Sequence, residues 1–130
     1  MSGENNLQTL LQHASPKLNP GHYVFCTLST PTSELLALAI VTVREAEGTT
    51  LVLPQAVADQ YSVSYEYVAS WITLEIHSSL SAVGLTAAFS RALSDKGISC
   101  NVVAGYYHDH IFIAQADTAT AMTVLSTLGE

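Results

Sequence analysis

Positive charge is the scarcest property of this 130-residue sequence: Lys and Arg together number 4, against 11 Asp and Glu, and the net charge is −7. Only 12% of the residues are charged, whereas globular proteins carry about 25%. Phosphate binding depends on Lys and Arg that release counterions, so this composition argues against nucleic acids and anionic membranes as partners. The 14 Ser and 13 Thr imply a polar surface made mostly of hydroxyl groups.

Long apolar runs and cysteines are also scarce. The longest apolar run, Leu35–Val41, spans seven residues, and a membrane span needs about 20. Met1–Leu10 lacks the cationic start and apolar core of a signal peptide, so we expect a soluble, cytoplasmic protein. Hydrophobic residues make up 48% of the chain, which excludes intrinsic disorder. Cys26 and Cys100 lie in apolar stretches without metal-ligand spacing and are predicted to be buried thiols.

Hydrophobic periodicity divides the chain into two similar halves. In the second half, Trp71–His77 alternates like a half-buried strand, and an apolar helical stripe then ends at Gly97, a typical C-terminal cap. A strand, a turn at His108-Asp109, a further strand and a last helix follow. The first half predicts strands over 22–28, 36–44 and 49–53, with a loop or single turn over 30–34 and a short helix from Pro54. Two small α+β units, 1–68 and 69–130, explain this order.

The residues from Ser81-Ala82-Val83-Gly84-Leu85 to Gly97-Ile98-Ser99 resemble the ACT-domain signature. Trp71–His110 is similar to one branch of that family, small bacterial proteins with paired ACT-like units, which resemble the paired ACT units of arginine-sensing proteins. The resemblance implies tandem ferredoxin-like βαββαβ units with antiparallel sheets and helices on one face. Ser29–Ser33 replaces the glycine-containing loop in the first half, so residues 1–68 are interpreted as a degenerate unit and 69–130 as an ACT domain.

The loop Ser78–Gly84 leads into a helix N-terminus, where unpaired amide groups favour a carboxylate. The structural alternative is that Ser79 or Ser81 caps the helix. The ACT resemblance implies a non-enzymatic regulatory protein that binds a small molecule, an amino acid, at an interface between ACT units. It further implies a homodimer with a separate target protein and no cofactor. The implied ligand-binding residues are Ser79, Ser81, Val83, Gly84, Leu85, Asn101, Val102, Glu75 and Thr27.

Two other functions remain open. His77, His108 and His110, with Asp109 between the last two, supply ligand types that zinc or nickel uses, which would suit a small metalloenzyme. However, residues that flank a tight turn need not converge, and Asp at a turn is expected from turn chemistry alone. No metal ligand is therefore assigned. The other alternative is a structural or interaction module without a ligand.

Overall fold

A computed structural model describes residues 6–76 and 83–130 of the chain, which form two compact units. The central unit is Pro20–Ala69. The terminal unit combines Ser70–Glu130 with the segment before Pro20. This grouping in space differs from a division of the chain between residues 68 and 69, because the segment before Pro20 pairs and packs with the later residues.

The helices and strands of the described residues follow one another in this order: α1 (Leu7–Gln12), β1 (Ser15–Leu18), β2 (Tyr23–Leu28), α2 (Ser33–Leu38), β3 (Val41–Arg44), β4 (Thr49–Pro54), α3 (Gln55–Gln60), β5 (Val68–Glu75), α4 (Leu85–Ser94), β6 (Asn101–Ala104), β7 (Asp109–Ala114), a short 3₁₀ helix (Gln115–Asp117) and α5 (Thr118–Ser126).

The terminal unit has the ferredoxin-like strand order β1-β5-β7-β6. Starting from β5, its elements read β5-α4-β6-β7-α5, and β1 supplies the fourth strand from the beginning of the chain. β1 runs antiparallel to β5, with Ser15 opposite Glu75 and Leu18 opposite Ile72. The sequence did not predict β1. Ser15-Pro16 was interpreted as the end of α1, and a proline also argues against a strand. Pro16 is tolerated because β1 lies at the edge of this sheet, where a missing N–H is harmless.

The core of the terminal unit lies between its helices and one face of its sheet. Inward-facing side chains of β5 and β7 pack against α1, α4 and α5, so the helices cover one face as expected. The fully buried members are Ile72, Leu74, Phe89, Leu93, Ile111, Ile113, Ala121 and Leu125, with Leu10 at 2% exposure. The predicted alternation in β5 holds for Ile72 and Leu74, which are buried in this core, and for the exposed Glu75. Thr73 on the opposite face is only 7% exposed, so the strand is not simply half-buried.

The central unit repeats the same topology. Its strand order is β3-β4-β2, followed by the first residues of β5, where Ala69 pairs with Tyr23 and Val68 with Val24. The elements β2-α2-β3-β4-α3-β5 therefore make a complete βαββαβ unit. Its core contains Val24, Cys26, Leu35, Leu51, Leu53 and Ala58.

The predicted strand over residues 36–44 is wrong in its first part. Ser33–Leu38 forms helix α2, and the strand begins only at Val41. The Thr32 hydroxyl oxygen accepts a hydrogen bond from the Leu35 amide at 3.2 Å and caps the helix. A short apolar run does not distinguish a strand from a buried helical turn, so this cap decides the outcome.

The described residues form no helix with both the length and the apolar character to cross a membrane.

Candidate functional site

Gly84 forms the turn that leads into α4, as the sequence suggests. Its φ of 92° and ψ of −11° lie in the left-handed region, which glycine adopts without penalty. A Cβ at this position would lie 3.3 Å from Cδ2 of Leu7. Val83 beside it is 84% exposed. Ser79, Ser81 and His77 lie outside the described residues.

The other predicted ligand-binding residues lie in several places. Leu85 is 4% exposed and packs in the terminal core, and the half-buried Val102 packs against the same core. Asn101 is exposed at the start of β6, and its side-chain amide donates to the Phe112 carbonyl at 3.2 Å. Glu75 is exposed at the end of β5, and Thr27 belongs to the central unit.

A groove of about 630 Å³ lies beside α4 in the terminal unit. We call it the α4 groove. Arg91 and Asp95 lie one helical turn apart on its wall. Within residues 6–76 and 83–130, neither side chain makes an ion pair. The full lining is Ala87, Ser90, Arg91, Ser94, Asp95, Ile98, Ser99 and Cys100.

This lining can bind a molecule that carries both charges. A guanidinium binds carboxylates through paired hydrogen bonds, and a carboxylate binds an ammonium group. The hydroxyls of Ser94 and Ser99 add donors and acceptors, while Ala87 and Ile98 offer apolar contact. Neither Arg91 nor Asp95 was predicted from the sequence as a site residue. The sequence does offer one signal for Arg91, the scarcity of positive charge, because Arg91 is one of only four Lys and Arg residues in the chain.

The thiol that lines this groove is not a nucleophile at neutral pH. Burial raises the pKa of Cys100 to about 11, and burial also raises the pKa of Cys26. The thiolate is the reactive form of cysteine, so both side chains are neutral and unreactive near pH 7. Neither cysteine is in a disulfide.

A hydrogen-bonded network crosses the sheet of the terminal unit around His110. The Trp71 indole N–H donates to Nδ1 of His110 at 3.1 Å, and the Thr73 hydroxyl lies 3.2 Å from the same atom. The Asn19 side-chain amide donates to the Thr73 oxygen at 2.9 Å. Because an indole N–H can only donate, His110 Nδ1 carries no proton and the imidazole is neutral. Burial lowers the pKa of His110, and the charge of His108 lowers it further against the opposing effect of Asp109.

The described part of the chain does not bring potential metal ligands together. No group of three or more His, Cys, Asp or Glu side chains is placed there to hold an ion. His110 uses Nδ1 within the network, and Asp109 has its pKa raised by burial, partly offset by His110 and His108.

The central unit contains a cleft of about 410 Å³, which we call the central cleft. It lies between the segment that joins β2 to α2 and the segment that follows α3. Thr27, the one predicted site residue of this unit, is part of its wall. The full lining is Thr27, Leu28, Thr30, Thr32, Leu35, Tyr61, Ser62, Val63 and Ser64.

Two family matches cover the chain in tandem. Residues 2–70 match one ACT-domain family and residues 66–127 match another. The chain belongs to the ACT-domain family. The two ACT matches overlap at 66–70, and β5 begins within this overlap: its first residues pair with β2 in the central unit, while its later residues belong to the terminal unit.

Several solved structures share the fold of this chain. A protein of unknown function from Vibrio cholerae, described as a possible transport protein, is 47% identical over 95% of this chain and 96% of its own, with a TM-score of 0.86. A protein from Agrobacterium tumefaciens is 20% identical over 89% of each chain, with a TM-score of 0.66. The ligand-free regulatory subunit of aspartate kinase from Thermus thermophilus is 10% identical over 88% of this chain and 97% of its own, with a TM-score of 0.62. The last two show the fold alone. No curated protein matches the chain.

Proposed function

We propose that this ACT protein is a non-enzymatic regulator that binds a free α-amino acid. The observation that carries the proposal is the pair of opposite charges, Arg91 and Asp95, on one wall of the α4 groove. An α-amino acid at neutral pH is a zwitterion, so one such pair satisfies both of its charged groups. ACT domains are typically regulatory modules that bind small ligands.

The chemistry of the described side chains supports a role without catalysis. The thiols of Cys26 and Cys100 are neutral because burial raises the pKa of each. The hydroxyl of Thr73 contacts an imidazole, as a nucleophile would, but Thr73 is only 7% exposed and cannot reach a substrate. A regulatory role also fits the similarity in fold to a protein described as the regulatory subunit of aspartate kinase.

The proposal includes a cytoplasmic homodimer that acts on a separate target protein. Ligand binding would bias how the ACT units of the dimer dock, by no more than its difference in affinity for the two arrangements. The predicted contacts at Ser79, Ser81, Val83, Gly84, Leu85, Asn101, Val102, Glu75 and Thr27 stay part of this proposal as a second set of residues to test. Light scattering with and without amino acids tests the dimer.

Calorimetric titration of the full chain with each standard amino acid tests the function. We expect one amino acid, or a few related ones, to bind, and Arg91→Gln to weaken that binding at least tenfold, as loss of a charge-assisted hydrogen bond would. Lys96→Gln is the matched control, because Lys96 is an exposed cation near Arg91 that does not line the groove. Silence across the panel at millimolar concentration contradicts the function, whereas binding that Arg91→Gln leaves unchanged contradicts only this site.

A further inference from the structure

Ser62 adopts a conformation that usually belongs to glycine. Its φ is 56°, and it is the one residue other than glycine with a positive φ in the described part of the chain. The amide of Ser62 donates to the Asp59 carbonyl at 3.2 Å, and the amide of Val63 donates to the Ala58 carbonyl at 2.8 Å. These two bonds make a Schellman motif after α3, in which glycine is the usual residue at the position of Ser62. A serine there places a side chain where helix termination requires none.

Ser62 lines the central cleft. The hydrogen bonds that end α3 hold this conformation, and strained backbone positions of this kind cluster at ligand sites. The observed outlier and the cleft are independent features of the central unit, and they coincide at one residue.

The wall of the central cleft offers unengaged hydroxyl groups. Within residues 6–76 and 83–130, no side-chain hydrogen bond occupies the hydroxyls of Thr27, Thr30, Ser62 or Ser64, and all four residues are exposed. Two further hydroxyls have structural partners. Thr32 caps α2 through the Leu35 amide, and the Tyr61 hydroxyl donates to Oε2 of Glu34 at 2.7 Å.

The charge of the cleft defines the class of ligand. None of the described residues that line it is cationic or acidic, so the cleft offers hydroxyl groups but no charged side chain to balance a phosphate, a carboxylate or an ammonium group. Its apolar surface comes from Leu28, Leu35 and Val63, and the ring of Tyr61 adds an aromatic surface. Hydroxyl donors and acceptors around apolar contacts suit a molecule with many hydroxyl groups on a carbon skeleton. The volume of about 410 Å³ lies within the range of small-molecule sites.

We propose that the central cleft binds an uncharged small molecule rich in hydroxyl groups, of the monosaccharide or polyol class. This site lies in the unit that the sequence marks as degenerate, and its ligand differs in charge from the one proposed for the α4 groove. The four unengaged hydroxyls bind the hydroxyl groups of the ligand, and Ser62 contributes one of them from its strained backbone position.

Ligand-observed NMR with the full chain tests the proposal. The probes are ribose, glucose, myo-inositol and glycerol, each at concentrations up to tens of millimolar, with inorganic phosphate and glycine as charged probes. We expect at least one neutral probe to bind and the charged probes not to compete with it. If no neutral probe binds, or if a charged probe displaces it, the proposed ligand class is wrong.

Two variants test the site itself. Ser62→Gly removes the strain together with the hydroxyl, so its melting temperature should equal or exceed that of the natural chain while its affinity falls about five- to tenfold, the loss of one hydrogen bond. Thr27→Val should weaken binding similarly, with Thr42→Val on β3 as the matched control, since Thr42 is exposed but does not line the cleft.

The outcomes separate this site from the α4 groove. A Ser62→Gly protein that is stable and binds the neutral probe as well as the natural chain does would overturn the proposal, as would a Ser62→Gly protein that melts lower. Arg91→Gln is expected to leave binding of the neutral probe unchanged. If the natural chain binds a neutral probe but no amino acid, the proposed function is wrong and the polyol site stands. If it binds an amino acid but no neutral probe, the polyol site is wrong and the proposed function stands.

Discussion

Trp71 holds His110 in its neutral form. The indole N–H donates to Nδ1 of the imidazole at 3.1 Å, and the two rings lie with their centroids 5.7 Å apart. Protonation of Nδ1 would set two N–H groups against each other. Gly105 makes room for the ring, because a Cβ at that position would lie 3.0 Å from His110 Nε2.

This relationship predicts that stability falls as pH falls through the ordinary pKa of histidine, 6.5. The pKa of His110 is lowered in the folded protein, so the unfolded chain binds the proton more tightly. The unfolded state then gains protons on acidification and the free energy of unfolding decreases. Urea unfolding between about pH 7.5 and about pH 5.5 measures this effect across the range in which histidine titrates.

His110→Gln should reduce the slope of stability against pH, because glutamine does not titrate and its side-chain oxygen still accepts from Trp71. His22→Gln is the control at an exposed histidine of the central unit. Asp109 beside His110 also titrates, and burial raises its pKa. Asp109 is present in both proteins, and the substitution also removes the His110 charge that lowers the pKa of Asp109, so the change in slope reports on this pair. Equal slopes for the natural chain and His110→Gln would contradict the network.

Leu10→Ala should destabilise the terminal unit although Leu10 lies about 60 residues before the nearest part of β5 in its core. Leu10 is 2% exposed and packs with the core of α4 and β5. Truncation of a buried leucine costs about 2–5 kcal/mol, through lost transfer energy and the cavity left behind. Gln12→Ala, at an exposed position of the same helix, should change the free energy of unfolding by less than about 0.5 kcal/mol. Equal losses in the two variants would show that α1 does not belong to this core.

The order of strands and helices in the second half was predictable, because it depends on local periodicity, whereas the full βαββαβ pattern was implied by the family resemblance and helix α2 was not predicted. The alternation of β5 and the apolar stripe of α4 each indicate one element and the face that it buries. The fourth strand of the terminal unit was not predictable in this way. β1 exists because Ser15–Leu18 pairs with β5 about 60 residues later in the sequence, and only that pairing reveals that Pro16 lies at an edge.

The candidate site was less predictable than the fold. The loop before Gly84 follows from a motif, but the α4 groove joins Arg91 and Asp95 to residues on the next segment, Ile98–Cys100. The conformation of Ser62 carries no sequence signal either. A serine after a short helix reads as an ordinary loop residue, and its left-handed φ results from the hydrogen bonds that end α3.

Both thiols should react slowly while the protein is folded. Burial raises the pKa of Cys100 to about 11, so its thiolate fraction at pH 8 is about 100-fold below that of an ordinary cysteine. Cys26 is 5% exposed, and burial raises its pKa too. Labelling with a thiol reagent should therefore be slow for both residues and rapid after denaturation. Cys26→Ser and Cys100→Ser assign the two rates, and a fast phase in the native protein that either variant removes would contradict this expectation.

Substitution of Gly84 should lower the stability of the folded protein directly, whether or not a ligand is bound. At a φ of 92° an L-residue is strained, and Gly84→Ala should cost about 1–2 kcal/mol. Gly97→Ala is the matched control, because Gly97 has a φ of 75° and a Cβ there would meet nothing within 4 Å. Gly84→Ala should cost more than Gly97→Ala by the contact with Leu7, whose Cδ2 would lie 3.3 Å from the new Cβ. In a protein that already carries Leu7→Ala, the two glycine substitutions should lower the free energy of unfolding in urea by the same amount. If they cost the same when Leu7 is present as well, the whole cost lies in the backbone conformation.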